Sequence, residues 1–400
     1  MDYSAVRSIK QARRLAGKRV LLRVDFNVPL DGRRVADDTR LREALPTLQY
    51  LAKNKARIII VTHLGRPEGR RAAEYKLDPV AKRLAELWKR KVAKLPDITG
   101  PKVERGIRAL RPGQALMLEN IRFSPDESGN RGTLGRELAA LSDIFVQDGF
   151  AVSHRGDASV VGVARYLPSY SGLLLDREIK GLAKVVDKPV SPFVLVLGGA
   201  KMETKVPVMK NLLPRADFVL VGGGIVNTYL HALGYAVGQS LIDPGQAAEA
   251  DKYVGRRKVI KPVDVVVGSR DGANYRVVKL ERRPHAVCKK NEAILDIGPA
   301  TIRLFAGYIK QARTLVWNGA MGYFEQKPYD VGTLSIARLV AARSKGPAFG
   351  VIGGGETVLA MDRVGMGENI DLISTGGGAM LEFLSGRELP GIAALVRKRS

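Results

Sequence analysis

The chain has 400 residues, with 65 Lys and Arg against 40 Asp and Glu, hence a formal charge of +25, and a single cysteine, Cys288. At about 100–200 residues per domain this length points to two or three domains, and the ordinary apolar and charged fractions, 45 % and 26 %, exclude a disordered chain. One cysteine excludes an intramolecular disulfide framework and a cysteine-built metal site.

No apolar run approaches the ~20 residues that span a bilayer, and residues 1–20 lack the apolar stretch of a signal peptide. The expectation is a soluble, cytoplasmic protein with no membrane partner. The basic excess suits anionic partners, but it is scattered through amphipathic segments, as at Lys82–Arg83 and Lys89–Arg90–Lys91 around Glu86 and Leu87. With no basic tail and only 6 % aromatics, it fits small anionic substrates better than a specific nucleic acid.

In chain order, Val20 to Phe26 reads as a buried strand. Asp37, Asp38 and Thr39 offer caps for a helix carrying Leu41, Leu45, Leu48 and Leu51. Ala56 to Leu64 gives the next strand and Leu77 to Lys91 an amphipathic helix. Ser169 to Asp187 carries Leu173, Leu174, Ile179, Leu182 and Val186 at helical spacing, with Ser171 as a cap, and reads as a connector between two lobes. The alternation resumes with strands at Phe193 to Leu197, Phe218 to Val221, Val263 to Val267, Thr314 to Trp317 and Phe349 to Ile352. Strands alternating with helices imply an α/β fold of parallel sheets flanked by helices.

Three triple-glycine runs, at 222–224, 353–355 and 376–378, each follow a strand and precede a helical pattern. That arrangement presents backbone N–H groups and a positive helix end to an anion, and phosphate is the natural guest. Neither G-x-x-x-x-G-K-[ST] nor G-x-G-x-x-G occurs. Instead Gly198–Gly199–Ala200–Lys201 leads to Lys205, and a helix starting there would set both lysines on one face near its N-terminus. In the first half, Asp25 and Asn27 stand at alternate positions after the first strand, placed to hold hydroxyls. Arg40, His63, Arg66, Arg122 and Arg155 stand on strand-end loops or helix starts, which suits a small phosphorylated, carboxylated substrate.

The motifs R-V-D-F-N-V-P, H-L-G-R-P, L-E-N-I-R-F, L-G-G-A-K, V-G-G-G, L-D-I-G-P, V-W-N-G-x-M-G-x-F-E, I-G-G-G-E-T and S-T-G-G-G-A-x-L-E-F-L-x-G follow in that order. In them the chain resembles the phosphoglycerate kinases from about Val20 to Leu395. The resemblance implies two Rossmann-like lobes. Residues 1–168 would bind 3-phosphoglycerate, 169–188 would form the interdomain helix, and 189–388 would bind the nucleotide. The tail, 389–400, would pack back on the first lobe.

It implies reversible phosphoryl transfer between ATP and the carboxylate of 3-phosphoglycerate, giving 1,3-bisphosphoglycerate and ADP, with Mg2+, hinge bending and a monomeric chain. Asp25 and Asn27 would hold the glycerate, His63, Arg66, Arg122 and Arg155 its phosphate, and Arg40 the reacting carboxyl. The nucleotide positions would be Gly199, Lys201, Lys205, Gly223, Gly298, Asn318, Glu325, Gly354, Gly355, Glu356 and Thr357, with Glu356 at the metal. The catalytic set would be Arg40, Lys201, Lys205, Gly355 and Gly378. Glu356 stands where the family usually has Asp, Asp157 where a second His is frequent, Ala320 for a common Pro, and Ala300 where Lys or Glu is frequent. The alternatives are an NAD-dependent dehydrogenase, which the missing dinucleotide fingerprint disfavours, and a basic nucleic-acid-binding protein.

Overall fold

The structure, a computed structural model, describes residues 3–396, apart from the side chain of residue 4. The chain divides into two compact units, Met1–Lys180 with Glu388–Ser400, and Gly181–Arg387.

The first unit contains β1 (Arg19–Arg23), the hairpin β2 (Leu30–Asp31) and β3 (Arg34–Val35), α1 (Thr39–Lys53), β4 (Arg57–Val61), α2 (Asp78–Trp88) and β5 (Val92–Lys94). There follow α3 (Pro101–Ala109), β6 (Ala115–Met117), α4 (Leu134–Ala140), β7 (Ile144–Gln147) and β8 (Ser169–Ser171). Six of these strands make one parallel sheet in the order β5-β6-β4-β1-β7-β8. Val20 and Leu22 of β1 and Ile58 and Ile60 of β4 pack under Leu41, Leu48 and Leu51 of α1 and Leu84 and Trp88 of α2. Leu21 and Ile59, facing the other way, are equally buried. Covered faces on both sides explain unbroken apolar runs where alternation would mark a half-exposed sheet. Because β1 and β4 are adjacent and in register, the chain leaves both at the same edge.

The helix expected over 169–187 is shorter. Ser169–Ser171 is the edge strand β8, and α5 spans Leu173–Asp187. Ser171 donates its hydroxyl to the Arg7 carbonyl and does not cap. The first N–H groups of α5 go instead to Thr47 Oγ1, from Leu173, and to Asp148 Oδ1, from Leu174 and Leu175. The division between the units falls inside this helix, after Lys180.

The second unit opens with β9 (Phe193–Leu197), α6 (Val206–Leu212), β10 (Phe218–Val221), α7 (Gly223–Ala232), α8 (Ala247–Val254) and β11 (Val259–Ile260). It continues through β12 (Asp264–Gly268), β13 (Tyr275–Lys279), β14 (Ala293–Ile297), α9 (Pro299–Ile309), β15 (Thr314–Asn318) and α10 (Val331–Ser344). It ends with β16 (Phe349–Gly353), α11 (Gly355–Val364), β17 (Leu372–Ser374) and α12 (Gly378–Leu384). A second parallel sheet runs β11-β10-β9-β15-β16-β17. The run Val263 to Val267 departs from expectation: β12 belongs to a separate antiparallel sheet, β13-β12-β14. No helix separates β12 from β13. A short turn with Gly272 at φ +79 reverses the chain, and parallel pairing needs a crossover. The last helix, α13 (Pro390–Ala393), lies with the first unit, where the Gly391 N–H donates to the Ser153 carbonyl. The end of the expected tail, 397–400, lies outside the described residues. No helix among the described residues is long and apolar enough to cross a membrane.

Candidate functional site

In the first unit, β1 ends at Arg23, so strand alternation does not place Asp25 and Asn27. Hydrogen bonds to the loop after β4 do. Thr62 Oγ1 accepts the Phe26 N–H at 2.8 Å, Asn27 Oδ1 accepts the Gly65 N–H at 2.8 Å, and Asp25 Oδ1 accepts the Asn27 N–H at 3.1 Å. Arg40, the second residue of α1, pairs with Asp25 Oδ2. The other oxygen of Asp25 lies 3.6 Å from His63 Nδ1.

Arg122 sits in a short helical turn and donates to the Gly65 carbonyl at 2.8 Å. Asn120 fixes the same loop through the N–H and carbonyl of Leu64. Arg155 is half-buried, and its charge acts on both His63 and Arg122. Arg66 is exposed and takes no part in these contacts.

One residue the sequence reading passed over sits beneath this cluster. Arg23 is fully buried. It donates from Nε to Ser159 Oγ at 2.8 Å, to the Val24 carbonyl, and from Nη2 towards His63 Nδ1 at 3.4 Å. Ser159 in turn donates its hydroxyl to Glu127 Oε1 at 2.6 Å and its N–H to Oε2 at 2.9 Å. Burial lowers the Arg23 pKa while Glu127, Asp25 and Asp157 oppose it, and burial raises that of Glu127. Burial, then Arg23, Arg122, Arg155 and Arg40, hold the His63 pKa well below its ordinary value. The imidazole is therefore neutral at pH 7, and with Arg23 donating, Nδ1 is the acceptor. A cationic cluster around such a histidine suits an anion, and the lowered pKa makes the ring a weak base.

In the second unit the pieces are mainly backbone. Gly199, Gly223 and Gly354 have φ of +88, +60 and +94. A Cβ on Gly223 would stand 2.9 Å from the Gly199 nitrogen, and one on Gly354 the same distance from Asn318 Nδ2. The first glycine run holds loops together: the N–H groups of Gly222, Gly223 and Gly224 go to the carbonyls of Leu197, Met321 and Gly199. The other two runs open helices, α11 at Gly355 and the seven-residue α12 at Gly378. The first N–H groups of a helix have no intrahelical partner, but in α12 the Ala379 N–H already goes to the Gly376 carbonyl at 2.8 Å.

The two lysines do not share a helical face. α6 begins only at Val206, so Lys201 is exposed in the preceding loop while Lys205, at the N-cap, is buried. Lys205 Nζ donates to Asn318 Oδ1, and Asn318 Nδ2 donates to the Gly353 carbonyl at 2.6 Å. Burial brings the Lys205 ammonium down to about 8, with Glu356 opposing. Thr357 Oγ1 accepts the Gly319 N–H at 2.7 Å. Glu356 Oε2 accepts the Ala320 N–H at 3.4 Å, a donor that a proline at position 320 would lack.

Gly199, Gly223, Glu325 and Glu356 line one cleft of about 870 Å³, including its open mouth, which continues between apolar Leu241, Val265 and Leu295. Gly298, Asn318, Gly354, Gly355 and Thr357 are not in its lining. Gly298 packs on Asp264, whose carboxylate takes the N–H groups of Ala300 and Thr301 at the start of α9. That bond uses the backbone of Ala300 and leaves the departure in its side chain without a structural consequence. Asp296 lines the cleft, accepts the N–H groups of Gly332 and Ile297, and is pushed by burial up to about 8.

A family model described as phosphoglycerate kinase matches residues 9–387. A phosphoglycerate kinase of Moorella thermoacetica is 45 % identical over 394 residues, covering 96 % of this chain and 98 % of that one. Among solved structures, phosphoglycerate kinase from Coxiella burnetii superimposes with a TM-score of 0.86 at 38 % identity, covering 98 % of both chains. The enzyme from Pyrococcus horikoshii does so at 0.84 and 32 % identity, covering 97 % of this chain and 98 % of that one.

Proposed function

The chain belongs to the phosphoglycerate kinase family, phosphotransferases with a carboxyl group as acceptor, and on that premise we propose how its own residues divide the reaction. The first unit takes 3-phosphoglycerate, the second takes ATP or ADP, and the γ-phosphoryl passes to the carboxylate of the acid, reversibly. The observation that carries this reading is the neutral His63 ringed by Arg23, Arg40, Arg122 and Arg155. A carboxylate acceptor is already ionised at pH 7, so no base is required. The cost lies in bringing an anion onto a polyanion.

His63, Arg66, Arg122 and Arg155 hold the 3-phosphate. Asp25, fixed by Arg40 and the Asn27 N–H, and Asn27 itself meet the hydroxyl side of the glycerate. Arg40 meets the reacting carboxyl. Lys205, with Lys201 beside it on the loop, serves the transferred phosphoryl, and the first turns of α11 and α12, with Gly355 and Gly378, offer it N–H groups. Gly199, Gly223 and Glu325 bound the nucleotide cleft, Asn318 and Thr357 brace its phosphate end with Gly354, and Gly298 supports it from behind. Direct transfer requires the two ligands to meet, and the hinge bending expected from sequence is part of this reading.

No group of three or more His, Cys, Asp or Glu gathers among the described residues. A resident protein-caged metal therefore does not fit. Mg2+ arriving on the nucleotide does, since it needs only one or two carboxylates besides phosphate oxygens, and Glu356 would hold it. Bound there, it would offset phosphate charge. A monomer working in the cytoplasm, with no specific nucleic-acid or membrane partner, completes the reading.

A coupled assay with ATP, 3-phosphoglycerate and Mg2+ tests it. Turnover requiring all three supports the reading, and turnover with no acid present, or with another acceptor preferred, overturns it.

A further inference from the structure

Asp157 is 6 % exposed, and its Oδ2 is buried with no hydrogen-bond partner among the described residues. It lies two residues after Arg155 and precedes the turn, 158–162, that carries Ser159 onto Arg23 and Glu127. Its charge favours the charged forms of Arg23 and Arg122. Neither guanidinium is committed to it, for Arg23 donates to Ser159 and the Val24 carbonyl, and Arg122 to the Gly65 carbonyl. A carboxylate held dry with an unbonded oxygen is costly unless nearby opposite charge offsets it.

From this we infer that Asp157 is a resident counter-anion of the arginine cluster, a fixed negative charge that lowers the cluster's affinity for the phosphate of the acid. The inference rests on the site assignment proposed above. While no ligand is bound, Asp157 offsets repulsion among Arg23, Arg122 and Arg155. A phosphate entering the cluster meets the same guanidinium charges and is repelled by the carboxylate, so each anion weakens the other's claim on the arginines. Asp157 makes no bond to the ligand in this account. It is a positioning residue that sets affinity through charge.

Removing the charge then has two opposite effects, which a purely structural role does not produce together. In Asp157→Asn the ligand-free protein melts lower, because the arginines lose their compensation. Inorganic phosphate binds more tightly, roughly three- to tenfold for the loss of one nearby, partly screened unit charge, and the stabilisation by phosphate grows. The KM for 3-phosphoglycerate falls by a larger factor than kcat changes. Asp157→Glu, which keeps the charge, retains phosphate affinity near that of the unaltered protein.

The experiment is calorimetric titration of the full chain with inorganic phosphate, with thermal melts, for these two variants and for Arg122→Ala. Unchanged or weaker phosphate binding in Asp157→Asn overturns the inference. If that happens while Arg122→Ala weakens phosphate binding, only the inference fails. If Arg122→Ala has no effect either, the assignment of the phosphate site fails with it.

Discussion

On the proposed assignment, the two units would recognise anions by different physical means. The first would do it with side chains: Arg40 paired with Asp25, Arg122 on the Gly65 carbonyl, and beneath them a fully buried Arg23 on Ser159, which Glu127 holds in turn. The second would do it mainly with backbone: glycines in left-handed conformations, the starts of α11 and α12, and one buried ammonium at Lys205. A site made of charged side chains has to carry its own counter-charges while empty, which explains three acidic residues among the arginines. A site made of N–H dipoles carries little net charge and tolerates emptiness, but at Gly223 and Gly354 it has no room for a Cβ, whereas Gly355 and Gly378 face open space. The first is therefore vulnerable to charge deletion, and the second to a methyl group added at Gly223 or Gly354.

The largest effect expected is on folding. Arg23→Met removes the charge under the first site and leaves Glu127 buried without it, a change worth about 3–5 kcal/mol, read as a lowered denaturation midpoint. A midpoint within error of the unaltered protein would break the claim that the first site is charge-balanced. Next, Arg40→Ala should lower kcat by about 10²–10³, or ~2.7–4 kcal/mol, with ADP affinity retained in equilibrium titration. Gly223→Ala puts a methyl where φ is +60 and Gly199 stands 2.9 Å away. It should cost about 1–3 kcal/mol and weaken ADP binding while sparing 3-phosphoglycerate.

Protonation separates the sites further. Lys205 in the fold has its pKa brought down to about 8, so ADP affinity should fall by up to about tenfold between pH 7 and 9 as the ammonium is lost. The folded pKa lies below the unfolded one. Without ligand, Lys205 therefore weakens stability at low pH, and its contribution rises as pH climbs from about 8 towards the ordinary lysine value. His63, already neutral, contributes no step near pH 6.5 to 3-phosphoglycerate binding. The smallest effect belongs to Arg66→Ala, which should raise the KM for 3-phosphoglycerate by about fivefold or less, because an exposed cation is screened by water.

The same contrast decides what could be read from sequence. Glycine runs after apolar strands are a local pattern, and the helices at Gly223, Gly355 and Gly378 begin within a residue or two of where the pattern put them. That the first run spends its N–H groups on neighbouring loops depends on partners such as Met321, about a hundred positions away, and no local pattern carries it. Arg23 was hidden for a related reason: in Val20 to Phe26 it reads as a break in an apolar strand, and only Ser159 and Glu127 give it a role. The helix expected at Lys201 starts instead at Val206, and the cap expected from Ser171 comes from Asp148 and Thr47. These are tertiary choices overriding local propensity. Asp25 and Asn27 are placed by a loop held by Thr62 and Gly65, where alternation along a strand was the expectation.

The division of labour is tested most directly by titrating 3-phosphoglycerate and ADP separately into Arg122→Ala and Lys205→Ala. Arg122→Ala should lose affinity for 3-phosphoglycerate and keep it for ADP, and Lys205→Ala should do the reverse. Loss of ADP binding in Arg122→Ala with 3-phosphoglycerate binding intact, or the mirror result in Lys205→Ala, would contradict the assignment of one ligand to each unit.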